Sequence, residues 1–364
     1  MRVVMFYHSL VSDWNHGNAH FLRGVASELV QRGHDVRIFE PSDSWSLHNL
    51  LLERGVAAIA AFHDAYPGLH SALYDPRELD LDTMLDGADL VIVHEWNSPE
   101  LVAAVGEYRR RARSFQLLFH DTHHRAASAR DEIAGYDLRD YDGVLAFGKV
   151  LRDRYLEESW TQRAYVWHEA ADTRLFKPLP DESACDDVIW IGNWGDGERS
   201  EELREFLLGP IQKLGLQACL YGVRYPHDAQ RAVAESGGRY RGFLSNFDAP
   251  RMFARHGATV HVPRRPYTEA LPGIPTIRVF EALACGIPLI CAPWVDAEGL
   301  FRPGEDYLIA RDGREMTEKL RAVLNDPELA AALRESGLAT IARRHTCAHR
   351  VDELLEIHRE LMVA

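Results

Sequence analysis

Cysteine is scarce: five residues in 364, at positions 185, 219, 285, 291 and 347, odd in number, widely spaced and without a C-x-x-C pair. That excludes a disulfide framework and a zinc ribbon, and it fits a reducing cytosol. Positive charge is also in deficit, with 41 basic against 55 acidic side chains and a formal charge of -14. Non-specific nucleic-acid binding rests on Lys and Arg neutralising phosphates, so a nucleic-acid partner is not expected. The dense basic run Arg109-Arg110-Arg111 suits a helix C-terminus, where it complements the dipole. No apolar run approaches the ~20 residues of a membrane span, so no integral membrane segment is expected. The opening Arg2–Tyr7, followed by polar His8 and Ser9, lacks the apolar core and cleavage site of a signal peptide. A soluble, cytoplasmic protein is expected.

What is present is alternation. Hydrophobic residues make up 46% and charged residues 26%, as in soluble globular chains, and 364 residues fit two domains. Short apolar runs at 3–7, 36–39, 90–94, 115–120, 143–146 and 164–167 alternate with amphipathic stretches, the pattern of a parallel α/β sheet. In the first such stretch Leu22, Val25, Ala26 and Leu29 share one helical face. A segment rich in Pro, Asp and Glu follows, and the pattern restarts at 188–191, continuing with strands at 217–221, 238–241, 258–262 and 289–291. Helices are predicted over 314–324, 327–344 and 348–361. The expected architecture is two doubly wound, Rossmann-like parallel-sheet domains with a ligand cleft: residues 1–170, a linker at 171–187, and residues 188–346. In the final segment, 347–364, an apolar face of Val351, Leu354, Leu355 and Leu361 suits packing back on the first domain.

The stretch from Leu271 to Ile290 carries the most chemical information. A Pro/Gly turn leads into a helix predicted over 276–284, closed by Gly286, and Ile277, Phe280 and Ala284 fall on one stripe. Glu281 falls on that apolar stripe too, where a carboxylate is costly without a partner. The helix N-terminus before it, around Gly273, Ile274 and Thr276, is a ready anion site. A phosphate at that turn and a ribose hydroxyl on Glu281 account for both features; an i,i+3 ion pair with Arg278 is the plainer alternative.

Other candidates cluster at strand ends. Gly192-Asn193-Trp194-Gly195-Asp196-Gly197-Glu198-Arg199 follows a strand and opens a helix, with Asn193 and Arg199 as possible phosphate contacts. It is not G-x-G-x-x-G, so a dinucleotide dehydrogenase is not indicated. Arg264 and Arg265 end another strand and suit a diphosphate clamp, because guanidinium matches phosphate oxygens. His120 and Asp121, at the end of the strand 115–120, are the acid–base candidates. The long first βα loop offers Asn15, His16 and Gly17. His94-Glu95 and His168-Glu169 raise the same question on weaker grounds. No metal-ligand spacing stands out, so no metal is expected.

The segment Arg278-Val-Phe-Glu-Ala-Leu-Ala-Cys-Gly-Ile-Pro288 resembles the sugar-nucleotide signature of the two-Rossmann-domain (GT-B) glycosyltransferases, the retaining families with a Glu-x7-Glu motif. With Arg32-Gly33-His34-Asp35-Val36, Trp190-Ile-Gly-Asn193 and Phe301-Arg-Pro-Gly-Glu-Asp-Tyr-Leu308, the whole chain is similar to the CgeB-like, spore-maturation-type group. The resemblance implies metal-independent, retaining transfer of a sugar from a nucleoside diphosphate sugar, such as a UDP-sugar, to an unidentified acceptor, with no cofactor. By position Glu281 holds the ribose. The first Glu of the motif falls at Gly273, and Glu269 is the candidate substitute; Asn15 and His16 fall on the acceptor side and Gly17 on the phosphate side. Two alternatives stay open: a metal-dependent hydrolase built on His120, Asp121, His123 and His124, and a non-catalytic nucleotide- or sugar-binding protein.

Overall fold

Val3-Val4-Met5-Phe6 and Leu90-Val91-Ile92-Val93 are apolar without alternation, as strands covered by helices on both faces must be, and every one of these side chains is buried. In the computed structural model, which describes residues 1–112, 114–180 and 185–363, they lie at the centre of a seven-stranded sheet. Its strands are β1 (Arg2–Phe6), β2 (Asp35–Pro41), β3 (Ala72–Tyr74), β4 (Leu90–His94), β5 (Gln116–Asp121), β6 (Gly143–Ala146) and β7 (Ala164–Val166). They run parallel in the order β3-β2-β1-β4-β5-β6-β7. A second sheet contains β8 (Asp186–Ile191), β9 (Ala218–Tyr221), β10 (Arg239–Tyr240), β11 (His256–His261), β12 (Leu289–Cys291) and β13 (Leu308–Ile309). It too is parallel, in the order β10-β9-β8-β11-β12-β13.

The chain divides into two compact units: residues 1–169 with 347–364, and residues 170–346. Of the stretch expected as a linker, residues 181–184 lie outside the described residues. Its beginning is anchored in the second unit, where Ala171 N–H donates to the His345 carbonyl (2.9 Å) and Phe176 is buried.

In the second unit the helix after the first loop shows how sequence shapes local geometry. Ser200–Leu203 is α-helical, Arg204–Leu208 is a π-helical turn, and Gly209–Leu214 is α-helical again. Pro210 has no N–H to give and its ring crowds the carbonyl four residues back; widening the preceding turn accommodates it. Leu203, Phe206, Leu207 and Ile211 nevertheless stay on the core, against Val188 and Trp190 of β8.

The last helix, Cys347–Val363, buries Val351, Leu354 and Ile357 in the first unit, and Trp167 Nε1 donates to the Arg350 carbonyl at 2.8 Å. At the surface Arg32 pairs with Asp352 (2.6 Å). These contacts differ in kind. Leu354→Ala should lower the unfolding free energy by about 2–5 kcal/mol, whereas Asp352→Ala should change it by no more than about 1 kcal/mol, because the pair is exposed. Chemical denaturation followed by tryptophan fluorescence reads both; equal effects would show that the helix is held by charge.

Candidate active site

In doubly wound sheets ligands gather beyond the strand C-termini, where neighbouring strands send the chain in opposite directions. In the second sheet that point lies between β8 and β11. The loop after β8 returns Arg199 across it. Arg199 Nη1 donates to the Val262 carbonyl just past β11 (2.9 Å), and Nη2 donates to Asn193 O and Oδ1 (2.8 and 2.9 Å). The guanidinium lies over the Trp190 ring, 5.1 Å from its centre. Gly195 makes this possible: at φ +93° it has no Cβ, and one there would sit 2.6 Å from Arg199 Cγ. The glycine makes room for an arginine.

Two more arginines join it. Arg264 pairs with Glu198 (2.7 Å) and donates to Asn193 Oδ1 (2.9 Å), and Arg278 pairs with Glu281. Among the described residues no carboxylate pairs with Arg199. Burial, and after it Arg264 and Arg278, push its pKa down to about 9, so its charge is poorly compensated. The same two influences, burial first and then Arg199 and Arg278, hold His261 neutral, with its pKa lowered to about 3. His261 Nε2 is 3.0 Å from Thr276 Oγ1, so the N-cap side chain of helix Ile277–Cys285 does not cap its own first turn. That turn holds no acidic residue, whereas the turn beginning at Ser200 holds Glu201 and Glu202. The first therefore keeps the positive end of its dipole for an anion.

The other sequence candidates in this unit are dispersed around that centre. Arg265 turns away, donating to the Gly197 carbonyl, with Glu202 at 3.6 Å. Glu281 is fully buried beside Arg278, the geometry of the plainer alternative. Ile274 is a core side chain, and Glu269 is exposed at the end of the short helix Arg265–Glu269. Gly273 sits at φ +94° with its N–H on the Val295 carbonyl (2.7 Å), and a Cβ there would meet Glu298 Cγ at 3.1 Å. A carboxylate-bearing residue at 273 would be strained by its backbone and crowded by Glu298.

In the first unit the corresponding point lies between β1 and β4. A cavity of about 280 Å³ opens there, lined by His8 beyond β1, Asp43 and Trp45 beyond β2, Tyr74, and Trp96 and Asn97 beyond β4. Neither ring nitrogen of buried His8 has a hydrogen-bond partner, and burial, then Arg125, lower its pKa to about 3. His16 meets His8 edge-on, with ring centres 4.1 Å apart. Asn15 holds a left-handed backbone (φ +52°), a conformation asparagine tolerates, and Gly17 is part-buried beside it.

His120 and Asp121 are adjacent in β5, and consecutive strand residues point to opposite faces. His120 is fully buried among Phe21, His94 and Trp167, while Asp121 accepts from Tyr155 O–H (2.7 Å) and His123 N–H (3.0 Å). His124 is bonded to Ser128 (2.7 Å). Among the described residues the His120–His124 segment therefore does not converge on one ion. Asp121 instead lies near Glu95, which follows β4 and is fully buried with Arg125, itself 4.2 Å over the Trp96 ring. Burial, then Asp121, raises the Glu95 pKa to about 8, and burial raises that of Asp121 to about 6. Such shifts are common where carboxyl groups do acid–base work. Sequence reasoning missed His8, Arg125 and His261 and gave Glu95 little weight. The available signal was their position, at a strand end or one to two residues past it, for all but Arg125.

These shifts set a pH profile. The buried neutral histidines must charge on unfolding, so stability should fall as pH drops below the ordinary histidine value of 6.5. Above it the sign reverses. Glu95 keeps its proton in the folded state up to about pH 8 while the unfolded chain has lost it, so stability should fall again towards pH 8. Asp121→Asn removes the like charge and should flatten that alkaline limb in thermal-melt series; parallel limbs for wild type and variant would refute the coupling.

Residues 199–356 match the model of the Glycosyl transferase-like family. A sequence comparison with curated proteins gives no match. Among solved structures, the sucrose-phosphate synthase tll1590 of Thermosynechococcus elongatus superposes with a TM-score of 0.66 at 17% identity, covering 100% of this chain and 99% of its own. Anabaena Alr3699/HepE, solved with UDP-glucose, gives 0.68 at 14% identity, covering 98% and 99%. An alpha-glucosyltransferase solved with UDP and a DNA 13-mer gives 0.72 at 12% identity, covering 99% of each chain. At these identities the likenesses show the fold, and the fold is GT-B. The family match covers less than half of the chain, and the architecture shared with the solved structures is the GT-B fold.

Proposed function

We propose that the protein transfers a sugar from a nucleoside diphosphate sugar, with UDP as the reference nucleotide, to an acceptor, and that it belongs with the CgeB-like group. The observation that carries this reading is Arg199: a part-buried guanidinium with no carboxylate partner among the described residues, beside Arg264, Arg278 and an uncapped helix N-terminus. A diphosphate supplies the missing charge. As it leaves it gains negative charge, and donors already aimed at that charge are the main catalytic term. The same arginines take the part a divalent cation plays elsewhere, so we infer metal-independent transfer. The turn of Gly273, Ile274 and Thr276 flanks the phosphate cradle, and the first turn of helix Ile277–Cys285 supplies its N–H groups, since those of Gly273 and Ile274 already donate to Val295 and Leu271. Asn193 orients Arg199 and Arg264, and Glu281 takes the ribose. Retention of configuration follows the resemblance to the Glu-x7-Glu families.

We assign the acceptor and acid–base roles to the first unit. The cavity is lined by His8, against which His16 of the Asn15–Gly17 loop packs, and its Trp45, Trp96 and Tyr74 walls suit an uncharged ring. Asp121, with Glu95, is the titrating pair and His120 packs behind it. The net charge of -14 disfavours a nucleic-acid acceptor. Among the described residues no helix is long and apolar enough to cross a membrane and no disulfide joins the cysteines; we place the protein in the cytoplasm.

The assignment separates two kinds of variant. Glu281→Gln should weaken UDP binding by about 1–3 kcal/mol in calorimetry, the scale of a hydrogen bond to a charged group. Asp121→Asn or His120→Ala should leave UDP affinity unchanged and lower donor turnover about 10²–10⁴-fold, the range of one acid–base group. Unchanged UDP affinity in Glu281→Gln would return that carboxylate to its ion pair with Arg278. Unchanged turnover in the other two would make the β5 end structural.

A further inference from the structure

The arginine cluster occupies the C-terminal edge of the second sheet. A different set of side chains gathers at the opposite edge. Asp186 is the first residue of β8, His256 the first of β11 and Arg239 the first of β10, and Cys219 is the second residue of β9. Cys219 Sγ and His256 Nε2 each lie 3.7 Å from Asp186 Oδ2, and the three ligand atoms are all within 4.8 Å of one another. The edges of a tetrahedron of zinc ligands at about 2.0–2.3 Å from the metal are roughly 3.3–3.7 Å long. The two separations to Asp186 Oδ2 are therefore already those of such a site, and the third, within 4.8 Å, needs to close by no more than about 1.5 Å.

The histidine is prepared for it. His256 is buried, and its Nδ1 lies 2.6 Å from the Met252 carbonyl, an arrangement in which Nδ1 carries the proton and donates. Nε2 then presents its lone pair towards Cys219 and Asp186, and it is enclosed with no hydrogen-bond partner. A ligating imidazole is held in the same way, with the ring nitrogen away from the metal donating to a carbonyl that fixes tautomer and orientation. A buried acceptor without a donor costs about 1–3 kcal/mol, so the fold keeps this nitrogen in place against a penalty.

We propose that Asp186, Cys219 and His256 form a zinc site at the N-terminal edge of the second sheet, a structural clamp on β8, β9 and β11 separate from the sugar-transfer chemistry. The mixed sulfur, nitrogen and oxygen donors suit Zn²⁺ over Mg²⁺ or Ca²⁺, which favour oxygen alone. Zinc binding displaces the Cys219 thiol proton to solvent and leaves the fourth position to water. Arg239 is the competing cation, with Nη2 at 2.5 Å from Asp186 Oδ1 and 3.5 Å from Cys219 Sγ. Its side chain is 38% exposed and has solvent to swing into, and Asp186 Oδ1 remains available to it while Oδ2 meets the metal. Zinc and Arg239 are thus in competition, and Arg239→Gln should tighten zinc binding.

The test uses the full chain, stripped with chelator and then dialysed against zinc, with metal content by mass spectrometry and thermal midpoint as readouts. One equivalent of zinc per chain and a raised midpoint are expected, with loss of that equivalent in Cys219→Ser and in His256→Gln. Cobalt in place of zinc should give a thiolate-to-metal charge-transfer band, which should be absent in Cys219→Ser and should weaken with the loss of cobalt occupancy in His256→Gln. If Cys219→Ser does not fold, His256→Gln and the cobalt spectrum decide. No stoichiometric zinc in wild type, or an equivalent kept by both variants, overturns the proposal and leaves Arg239 as the sole counter-ion of Asp186. UDP affinity plays no part in this outcome.

Discussion

The bond from Arg199 to the Val262 carbonyl crosses the point where the second sheet reverses its winding, and the functional reading rests on it. It fixes a guanidinium at the only place in such a sheet where two strand ends part, and it does so with neutral partners: two carbonyls, an amide and an indole face. Neutral partners satisfy the Nη1 and Nη2 groups without cancelling the charge, and Nε is buried with no hydrogen-bond partner among the described residues. Glu198 and Glu281 are spent on Arg264 and Arg278, so the uncancelled charge is that of Arg199. A buried charge without a partner is costly, and a ligand that brings the opposite charge recovers that cost on binding. The sequence around it follows from this. Gly195 lacks a side chain because Arg199 passes where one would stand, and Thr276 gives its hydroxyl to His261, leaving the helix N-terminus open.

The first unit solves a different problem with the same architecture. Its switch point carries no excess cation; it carries carboxyl groups and histidines sealed in apolar surroundings. Burial raises both carboxyl groups towards neutral pH; for Glu95 the like charge of Asp121 adds to it, while Arg125 opposes the rise in each. Histidines 8, 94 and 120 are driven the other way by the same burial. Groups whose titration is displaced in opposite directions within a few residues of the strand ends are a pattern of sites that move protons.

Much of the fold was legible in the sequence because parallel strands are long apolar runs. β4, β6 and β12 fall on the residues the pattern marks, as does helix Pro327–Arg344. The edge strands β3 and β13 were not marked: Ala72-Leu73-Tyr74 and Leu308-Ile309 are too short for any period, and an edge strand needs no continuous apolar run. At the site, strand-end position marked Arg199, Arg264 and Asp121, but direction was hidden. Nothing in Arg264-Arg265 says that one side chain meets Asn193 and the next turns to Gly197. Nothing in His120-Asp121 weighs the alternation that sends them to opposite faces, unless the strand is taken to run through both residues. Glu95 and Arg125 are thirty residues apart and meet only because β4 and β5 are neighbours.

The central claim is that the arginines of the second unit await phosphate charge. Calorimetric titration of the purified protein with UDP, UMP and uridine tests it most directly. The account predicts that affinity falls at each loss of phosphate, with uridine weakest, and that added salt weakens UDP far more than uridine. Equal affinity for UDP and uridine, at any salt concentration, would contradict it.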